Sequence, residues 1–257
     1  MRKNPWIYYG KKLLIFVVSI FLLSVIVFYI ARLAPGDPLV SYYGERAEKM
    51  TAGERAWAEE KLGLHESITV QYGKWLGRAV RGDFGISYKY KMDVLEVIEG
   101  RVGNTLLLGG VGFVLIFVSA LLLGIWCAWN EERLIDRAIC KIGTVMSCIP
   151  EFWLSLVLIL IFAVELKVLP SSGAYTIGKE NDLGDRILHL ILPMTVVVLG
   201  HLWYYAYLIR NKLLEEVRTD YVLLAKSKGV TGKSVMFRHC VRNIIPTYLS
   251  IMAISVP

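Results

Sequence analysis

Long runs of apolar residues are the feature that most constrains how this chain can fold. Each run is close to the roughly 20 residues that an α-helix needs to cross the hydrocarbon core of a bilayer. The runs are Leu13–Ala31, Leu106–Ala128, Ile142–Val164 and Ile187–Ile209, with a fifth that begins at Ile244 and continues to Pro257. Pro150 and Pro193 fall inside two of them, which a transmembrane helix tolerates when neighbouring groups satisfy the freed carbonyl.

The composition agrees with a membrane protein. The chain is 55% hydrophobic, only 20% of its residues are charged, and its mean hydropathy is +0.51. A net charge of +7 would suit a nucleic-acid partner, but the basic residues cluster beside the apolar runs, as in cytoplasmic loops of membrane proteins. The sequence therefore predicts an all-α polytopic membrane protein whose partner is the lipid bilayer and not a nucleic acid.

The first apolar run resembles a secretory signal, because Arg2, Lys3, Lys11 and Lys12 precede it. It is longer than the apolar part of a typical signal peptide, and no small-residue cleavage site follows. We therefore interpret residues 1–34 as an N-terminal tail and an uncleaved transmembrane helix.

Residues 35–103 form a segment of mixed charge, with ten basic and eleven acidic residues. TAGERAWAEEKLGL predicts an amphipathic helix in which Thr51 is the N-cap and Glu54 completes a capping box. VQYGKWLGRAVRG predicts a second helix, which Gly82 ends. Residues 35–103 are therefore predicted to be a small soluble insertion. It separates the first helix from the rest of the chain, which is residues 104–257.

The distribution of Lys and Arg predicts the orientation. The N-terminus has four basic residues, and the segment 210–243 has eight against three acidic ones. Both should be cytoplasmic by the positive-inside rule, with four crossings between them, which leaves the 35–103 insertion outside.

The 210–243 segment contains GVTGKS, which looks like part of a nucleotide-binding loop. Such a loop needs a glycine five residues before Gly232, but this chain has Ser227 there. It also needs a preceding strand, but the residues before it form the helical pattern TDYVLLAKSKG. The segment therefore does not match a nucleotide-binding loop. That helix would present Tyr221, Leu224, Ala225 and the stem of Lys228 on one face. The segment is a helix–Gly–helix, either a docking element or a solvated basic loop.

Many ordered stretches resemble the permease subunits of ABC importers, most closely their peptide/nickel branch. They are APGDP (34–38), KLGLHESITVQYGKWL (61–76), GDFGISY (82–88), IPEFWLSLVL (149–158), VLPSSG (168–173), HLILP (189–193), DYVLLAKSKG (220–229) and HCVRNIIP (239–246). The first two residues of the E-A-A-x-x-x-G core differ, since it stands here as Leu223-Leu224-Ala225-x-x-x-Gly229.

The resemblance implies the type I ABC importer transmembrane fold, with helices 1–4 complete, helix 5 truncated and helix 6 absent, as in a fragment of a longer protein. It also implies a second permease subunit, two ABC ATPase subunits and an external substrate-binding protein. ATP and Mg²⁺ would be bound by the ATPase subunits, so that this chain is not an enzyme and binds no cofactor.

By the same resemblance, the 210–243 loop couples the permease to the ATPase. The coupling residues would be Asp220, Tyr221, Leu224, Ala225, Lys228, Gly229, His239, Arg242 and Asn243, with Arg238 beside them. Ala225 is small enough for close approach, and Gly229 allows the positive φ that ends the helix. Each charged residue could equally be an ordinary interfacial anchor.

Glu151 and His201 are weaker candidates, for the translocation path. His201 lies within a predicted helix, and an ionisable group within a transmembrane helix is a functional-site hypothesis. Glu151 directly follows Pro150, so a helix break there would let it face the path. His189 and His201 do not form a predicted metal site, because 12 residues of helix separate them by about 18 Å. The four cysteines lack metal-site or disulfide spacing.

The sequence leaves the cargo open between short peptides and nickel or a metal complex. A membrane signalling or scaffold protein, with residues 35–103 as an external sensor, is the alternative class. A membrane enzyme has little support, since the chain contains neither H-E-x-x-H nor G-x-S-x-G.

Overall fold

The computed structural model describes residues 5–255, and its secondary structure is helical apart from one isolated bridge between Ile86 and Asp93. The α-helices are α1 (Pro5–Leu33), α2 (Pro38–Tyr43), α3 (Ala52–Lys61), α4 (Ile68–Ala79), α5 (Val94–Trp129), α6 (Leu134–Ser147), α7 (Glu151–Leu158), α8 (Leu183–Val217), α9 (Asp220–Ser227), α10 (Gly232–Ser234) and α11 (Val241–Ile254). A 3₁₀-helix covers Gly44–Lys49, and π-helical turns extend α7 over Ile159–Glu165 and α10 over Val235–Cys240.

Three of the described helices, α1, α5 and α8, are long and apolar enough to cross a membrane. The third predicted span is not one continuous helix: α6 and α7 meet at a bend of 96°. The prediction that Pro150 would be accommodated inside a helix is therefore wrong. Proline lacks an N–H and disfavours helical geometry in the residue before it, so α6 ends at Ser147 and α7 begins after Pro150. Pro193, by contrast, lies within an unbroken α8.

The residues on either side of the bent pair contact the two ends of α8. Glu131, just before α6, pairs with Arg218 at the C-terminal end of α8, at 2.5 Å. Beyond the π-helical end of α7, Thr176 donates two hydrogen bonds of 2.6 and 2.7 Å to Asp185 in the first turn of α8. With 35 residues, α8 is about 52 Å long. The residues that flank the bent pair therefore reach both ends of α8, and by length and composition the pair counts as a fourth candidate span.

The chain divides into two compact units between Val102 and Gly103, within α5. In the first unit, Leu39, Ala47 and Ala58 form a small buried core. The predicted capping box is confirmed: the Thr51 side chain accepts from the Glu54 N–H, and the Glu54 carboxylate accepts from the Thr51 N–H. The second amphipathic helix is confirmed as α4, which ends before Gly82, where φ is +88°.

Close helix contacts at small residues organise the second unit around α8. A Cβ at Gly124 of α5 would lie 2.8 Å from the Cβ of Ile209, and one at Gly143 of α6 would lie 3.0 Å from the Trp203 ring. Glycine lets two helix backbones approach closely, and membrane helices are held together mainly by such packing. The buried core of this unit continues from α5 and α8 into the 210–243 segment.

Candidate functional site

The 210–243 segment contains the predicted helix–Gly–helix. The N–H of Gly229 donates to the carbonyl of Lys226 at 3.0 Å, and that of Val230 donates to the carbonyl of Ala225 at 3.1 Å. Gly229 has a φ of +78°. These features form a Schellman motif, which stops α9 and turns the chain into α10. The prediction that the helix breaks at Gly229 is confirmed.

The helix α9 has an inner and an outer face. Val222 is fully buried, and Tyr221 and Ala225 pack against the same core. Leu223 and Leu224 point away and are 58% and 55% exposed. A short helix therefore presents two adjacent leucines to its surroundings while its other side is anchored.

The face predicted from sequence is rotated relative to the one observed. Tyr221 and Ala225 do pack inward, but Leu224 does not, and Lys228 is an exposed residue beyond the end of the helix. The physical reason is the fully buried Val222, which lies about 100° around the helix from Tyr221, so that the buried arc runs from Tyr221 through Ala225 to Val222 and leaves Leu224 outside. Ala225 is thus placed for close packing within its own chain.

Glu216, in the last turn of α8, connects this segment to its neighbours. Its Oε1 accepts a hydrogen bond from the Tyr221 hydroxyl at 2.6 Å and another from the Asn243 amide at 3.1 Å. Burial, together with the hydrogen bond to Glu216, raises the pKa of Tyr221 to about 12, so the phenol stays protonated. The Thr219 hydroxyl donates to the Glu216 carbonyl at 2.6 Å. Sequence reasoning selected Tyr221 and Asn243 but missed the carboxylate that joins them.

The other predicted coupling residues are distributed over the surface of the segment. Asp220 is exposed in the first turn of α9, where a negative charge complements the helix dipole. Arg238 and Arg242 are exposed, and His239 is half-buried. The structure therefore places Tyr221 and Ala225 on the inner side, connects the exposed Asn243 to Tyr221 through Glu216, and leaves the charged candidates outside.

A buried ion pair lies next to this segment. Asp136 of α6 is almost completely buried, and the guanidinium of Arg210 donates two hydrogen bonds of 2.6 Å to its carboxylate. The Glu132 N–H donates to the same carboxylate at 3.0 Å. This pair was missed, because sequence reasoning counted Arg210 only among the cytoplasmic basic residues. An aspartate at the head of the apolar helix α6 was the available signal.

The two candidates for the translocation path come together. Glu151, the first residue after the bend, places a carboxylate oxygen 3.5 Å from Nδ1 of His201, and both side chains are about half exposed. The His201 Nδ1 is also 3.1 Å from the Val197 carbonyl of its own helix. Gly200 makes room, since a Cβ there would lie 2.9 Å from the carboxylate carbon of Glu151.

His189 is separate from this pair. It is buried, with Nδ1 2.9 Å from the Asp185 carbonyl and 3.4 Å from its carboxylate. Within residues 5–255, no three or more His, Cys, Asp or Glu side chains are placed to hold a metal ion.

The fold and this site define a polytopic helical membrane protein in which the short helix α9 is anchored against the buried core of the second unit. Residues 120–257 match the family described as the binding-protein-dependent transport system inner membrane component. The chain belongs to that family, whose fold is the type I ABC importer transmembrane domain. It is thus a transport permease subunit of the peptide/nickel branch, and this favours transport over the signalling or scaffold alternative.

Curated relatives extend the similarity over most of the chain. The oligopeptide transport system permease protein AppB of Bacillus subtilis is 34% identical over 236 residues, which are 91% of this chain and 74% of the relative. A probable peptide ABC transporter permease protein of Sinorhizobium fredii is 29% identical, over 97% of this chain and 78% of its own length. A putative peptide permease protein of Brucella suis is 32% identical, over 90% and 73%.

Proposed function

We propose that this permease subunit serves an ATP-driven importer of short peptides, and that α9 receives the motion of an ATPase subunit. A second permease subunit, two ATPases that bind ATP and Mg²⁺, and an external binding protein complete the transporter. The names of the similar permeases from three bacteria favour peptides over nickel as the cargo.

The observation that carries the docking proposal is the two-sided packing of α9. Its inner side is held by the buried Val222, while Leu223 and Leu224 are more than half exposed beside the charged Lys226 and Lys228. Exposed leucines on an anchored helix are energetically unfavourable in water, and they gain free energy when a partner covers them. The net positive charge of the segment favours a cytoplasmic location, where the ATPase would lie.

The test replaces Leu224 with a charged residue in the complete permease as its host makes it. Leu224→Arg places a charge in the proposed interface, where burial without a counter-ion is costly. We expect the tagged permease to lose co-purified ATP hydrolysis, and cells to lose peptide uptake, by at least about ten-fold. Ile177→Arg is the control, because Ile177 is 96% exposed and lies in the loop before the opposite end of α8.

Retention of ATP hydrolysis and peptide uptake by Leu224→Arg would rule out α9 as the docking helix. Equal losses in both variants would indicate a general effect of an added charge, and would also count against docking at Leu224. The proposal requires the loss to be confined to the α9 variant.

We also propose that Glu151 and His201 line the translocation path. His201 lies near the middle of the apolar run Ile187–Ile209, and a half-exposed carboxylate at that depth is costly in lipid. Facing a water-filled path resolves this cost, and the bend before Glu151 brings the carboxylate to that position.

Cysteine labelling tests the path assignment. In a variant with the native Cys148 changed to serine, Glu151→Cys should react with a charged, membrane-impermeant thiol reagent, because water reaches a path-lining position. The neighbouring Phe152→Cys should not react, since Phe152 is 70% exposed and apolar, as expected for a lipid-facing side chain. Labelling of Phe152→Cys without labelling of Glu151→Cys would contradict the assignment.

A further inference from the structure

Side chains from three separate helices are connected at one oxygen atom. Glu216 lies in α8, Tyr221 in α9 and Asn243 in α11. The Glu216 Oε1 accepts hydrogen bonds from both partners, at 2.6 Å from the Tyr221 hydroxyl and 3.1 Å from the Asn243 amide. Hydrogen bonds to an ionised carboxylate are stronger than those between neutral groups.

The backbone alone leaves the orientation of α9 weakly determined. A short turn at Arg218 and Thr219 connects it to α8, and the turn at Gly229 connects it to α10. Val222, fully buried, fixes the position of α9 against the core. Tyr221 and Ala225 pack beside it but are only partly buried, so Val222 acts as a pivot, and these contacts do not by themselves prevent the helix from turning about that point.

We infer that Glu216 is a positioning residue that ties α9 to α8 and α11, so that a displacement of α9 moves the helices on either side of it. The inference rests on the proposed function, in which α9 receives the motion of the ATPase. The carboxylate acts through Tyr221 and Asn243 and touches neither nucleotide nor peptide. Without it, α9 stays seated through Val222 and keeps its outer leucines available, but it turns without moving α8 and α11.

The adjacent residue provides a matched control. Glu215 carries the same charge and pairs with Lys212 one turn earlier in α8, at 2.7 Å, and its side chain is 66% exposed. Exposed pairs of this kind contribute little to stability. Glu215→Ala and Glu216→Ala therefore remove the same charge at consecutive positions, and only the second removes the connection to α9.

The experiment uses the complete transporter, reconstituted in proteoliposomes, with two measurements for each variant. The first is the amount of ATPase retained by the purified permease, and the second is the number of peptides transported per ATP hydrolysed. For Glu216→Ala we expect normal ATPase retention and a transport ratio lower by about ten-fold, the equilibrium factor of one hydrogen bond to a charged group. Glu215→Ala should leave both measurements unchanged.

Smaller changes keep the inference testable if Glu216→Ala does not fold. Tyr221→Phe removes one hydroxyl and should lower the transport ratio by a smaller factor, and Glu216→Gln should fall between wild type and Glu216→Ala because its amide oxygen still accepts. Tyr221→Phe should add no further loss to Glu216→Ala, since residues that act through one contact are not additive.

A normal transport ratio in both Glu216→Ala and Tyr221→Phe would overturn the inference. So would a loss of ATPase retention in proportion to transport, because Glu216 would then only support docking. The two proposals fail separately: a Leu224→Arg variant that keeps its ATPase contradicts docking at α9. If Leu224→Arg releases the ATPase while the Glu216 variants stay coupled, only the role of Glu216 is wrong.

Discussion

The guanidinium of Arg210 binds both carboxylate oxygens of Asp136, with two hydrogen bonds of 2.6 Å. The pair joins α8 to α6 close to the start of the 210–243 segment. Its side chains are only 16% and 2% exposed, so little solvent screens them. A charge left without its partner at this place would have little contact with water.

We expect Arg210→Ala to destabilise the protein by about 3–5 kcal/mol, because it leaves the Asp136 carboxylate buried and unpaired. Thermal unfolding of the purified permease in detergent measures the effect. Replacing both residues with apolar ones, Asp136→Leu with Arg210→Met, should recover much of the loss, since no buried charge remains.

The control for this pair is Arg218→Ala. Arg218 pairs with Glu131 at 2.5 Å, but its side chain is 69% exposed. Exposed ion pairs contribute about 0–1 kcal/mol, so the unfolding temperature should change little. Equal destabilisation by Arg210→Ala and Arg218→Ala would show that burial does not decide the strength of these pairs.

The helices could be predicted from local patterns, whereas the contacts of the site could not. Apolar runs of membrane-spanning length and the Thr51–Glu54 capping box are properties of neighbouring residues, which the sequence displays directly. Asp136 and Arg210 are 74 residues apart, and Glu216 and Asn243 are 27 apart. No periodicity relates such positions, because tertiary packing brings them together.

Gly229 should be sensitive to any side chain that resists a positive φ. Gly229→Ala is expected to cost about 1 kcal/mol, because an L-residue in the left-handed region brings its Cβ close to the following carbonyl oxygen. Asparagine enters this region more readily, so Gly229→Asn should be milder. Unfolding temperature and peptide transport per ATP are the measurements.

Gly232 serves as the comparison for Gly229, since both positions leave open space around an added Cβ and only Gly229 has a positive φ. Gly232→Ala should therefore cost nothing measurable. A cost for Gly232→Ala as large as that for Gly229→Ala would mean that the backbone conformation at Gly229 is not the cause.

Gly124 should tolerate no side chain, for a steric reason. An added Cβ would lie 2.8 Å from the Cβ of Ile209 and 2.9 Å from the Ala206 carbonyl oxygen, so Gly124→Ala forces α5 away from α8. Overpacking of this kind costs about 1–3 kcal/mol. In Gly110→Ala, on the same helix, the added methyl meets nothing within 4 Å, and thermal unfolding should match wild type.

The path candidates illustrate a case in which sequence selected the residues but not their relation. His201 was chosen as an ionisable group within an apolar run, and Glu151 as the residue after Pro150, at a helix break facing the path. Their contact depends on the bend at Pro150, which sequence reasoning treated both as a tolerated proline within the span and as a helix break beside Glu151. The local rule for proline was known, but whether neighbouring helices would satisfy the freed carbonyl is a property of the packed structure.

The bent pair α6–α7 decides the membrane topology, and labelling from the two sides of the membrane tests it. Glu131 contacts the C-terminal end of α8, and Thr176 contacts its N-terminal end. We therefore expect Glu132→Cys and Ile177→Cys to react with an impermeant reagent from opposite sides, with Glu132→Cys on the cytoplasmic side. Ser227→Cys, exposed on α9, should label from the same side as Glu132→Cys. Reaction of Glu132→Cys and Ile177→Cys from one side would mean that the α6–α7 pair re-enters the membrane without crossing it. Three spans would then remain, and one end of the chain would lie on the opposite side of the membrane from the one predicted.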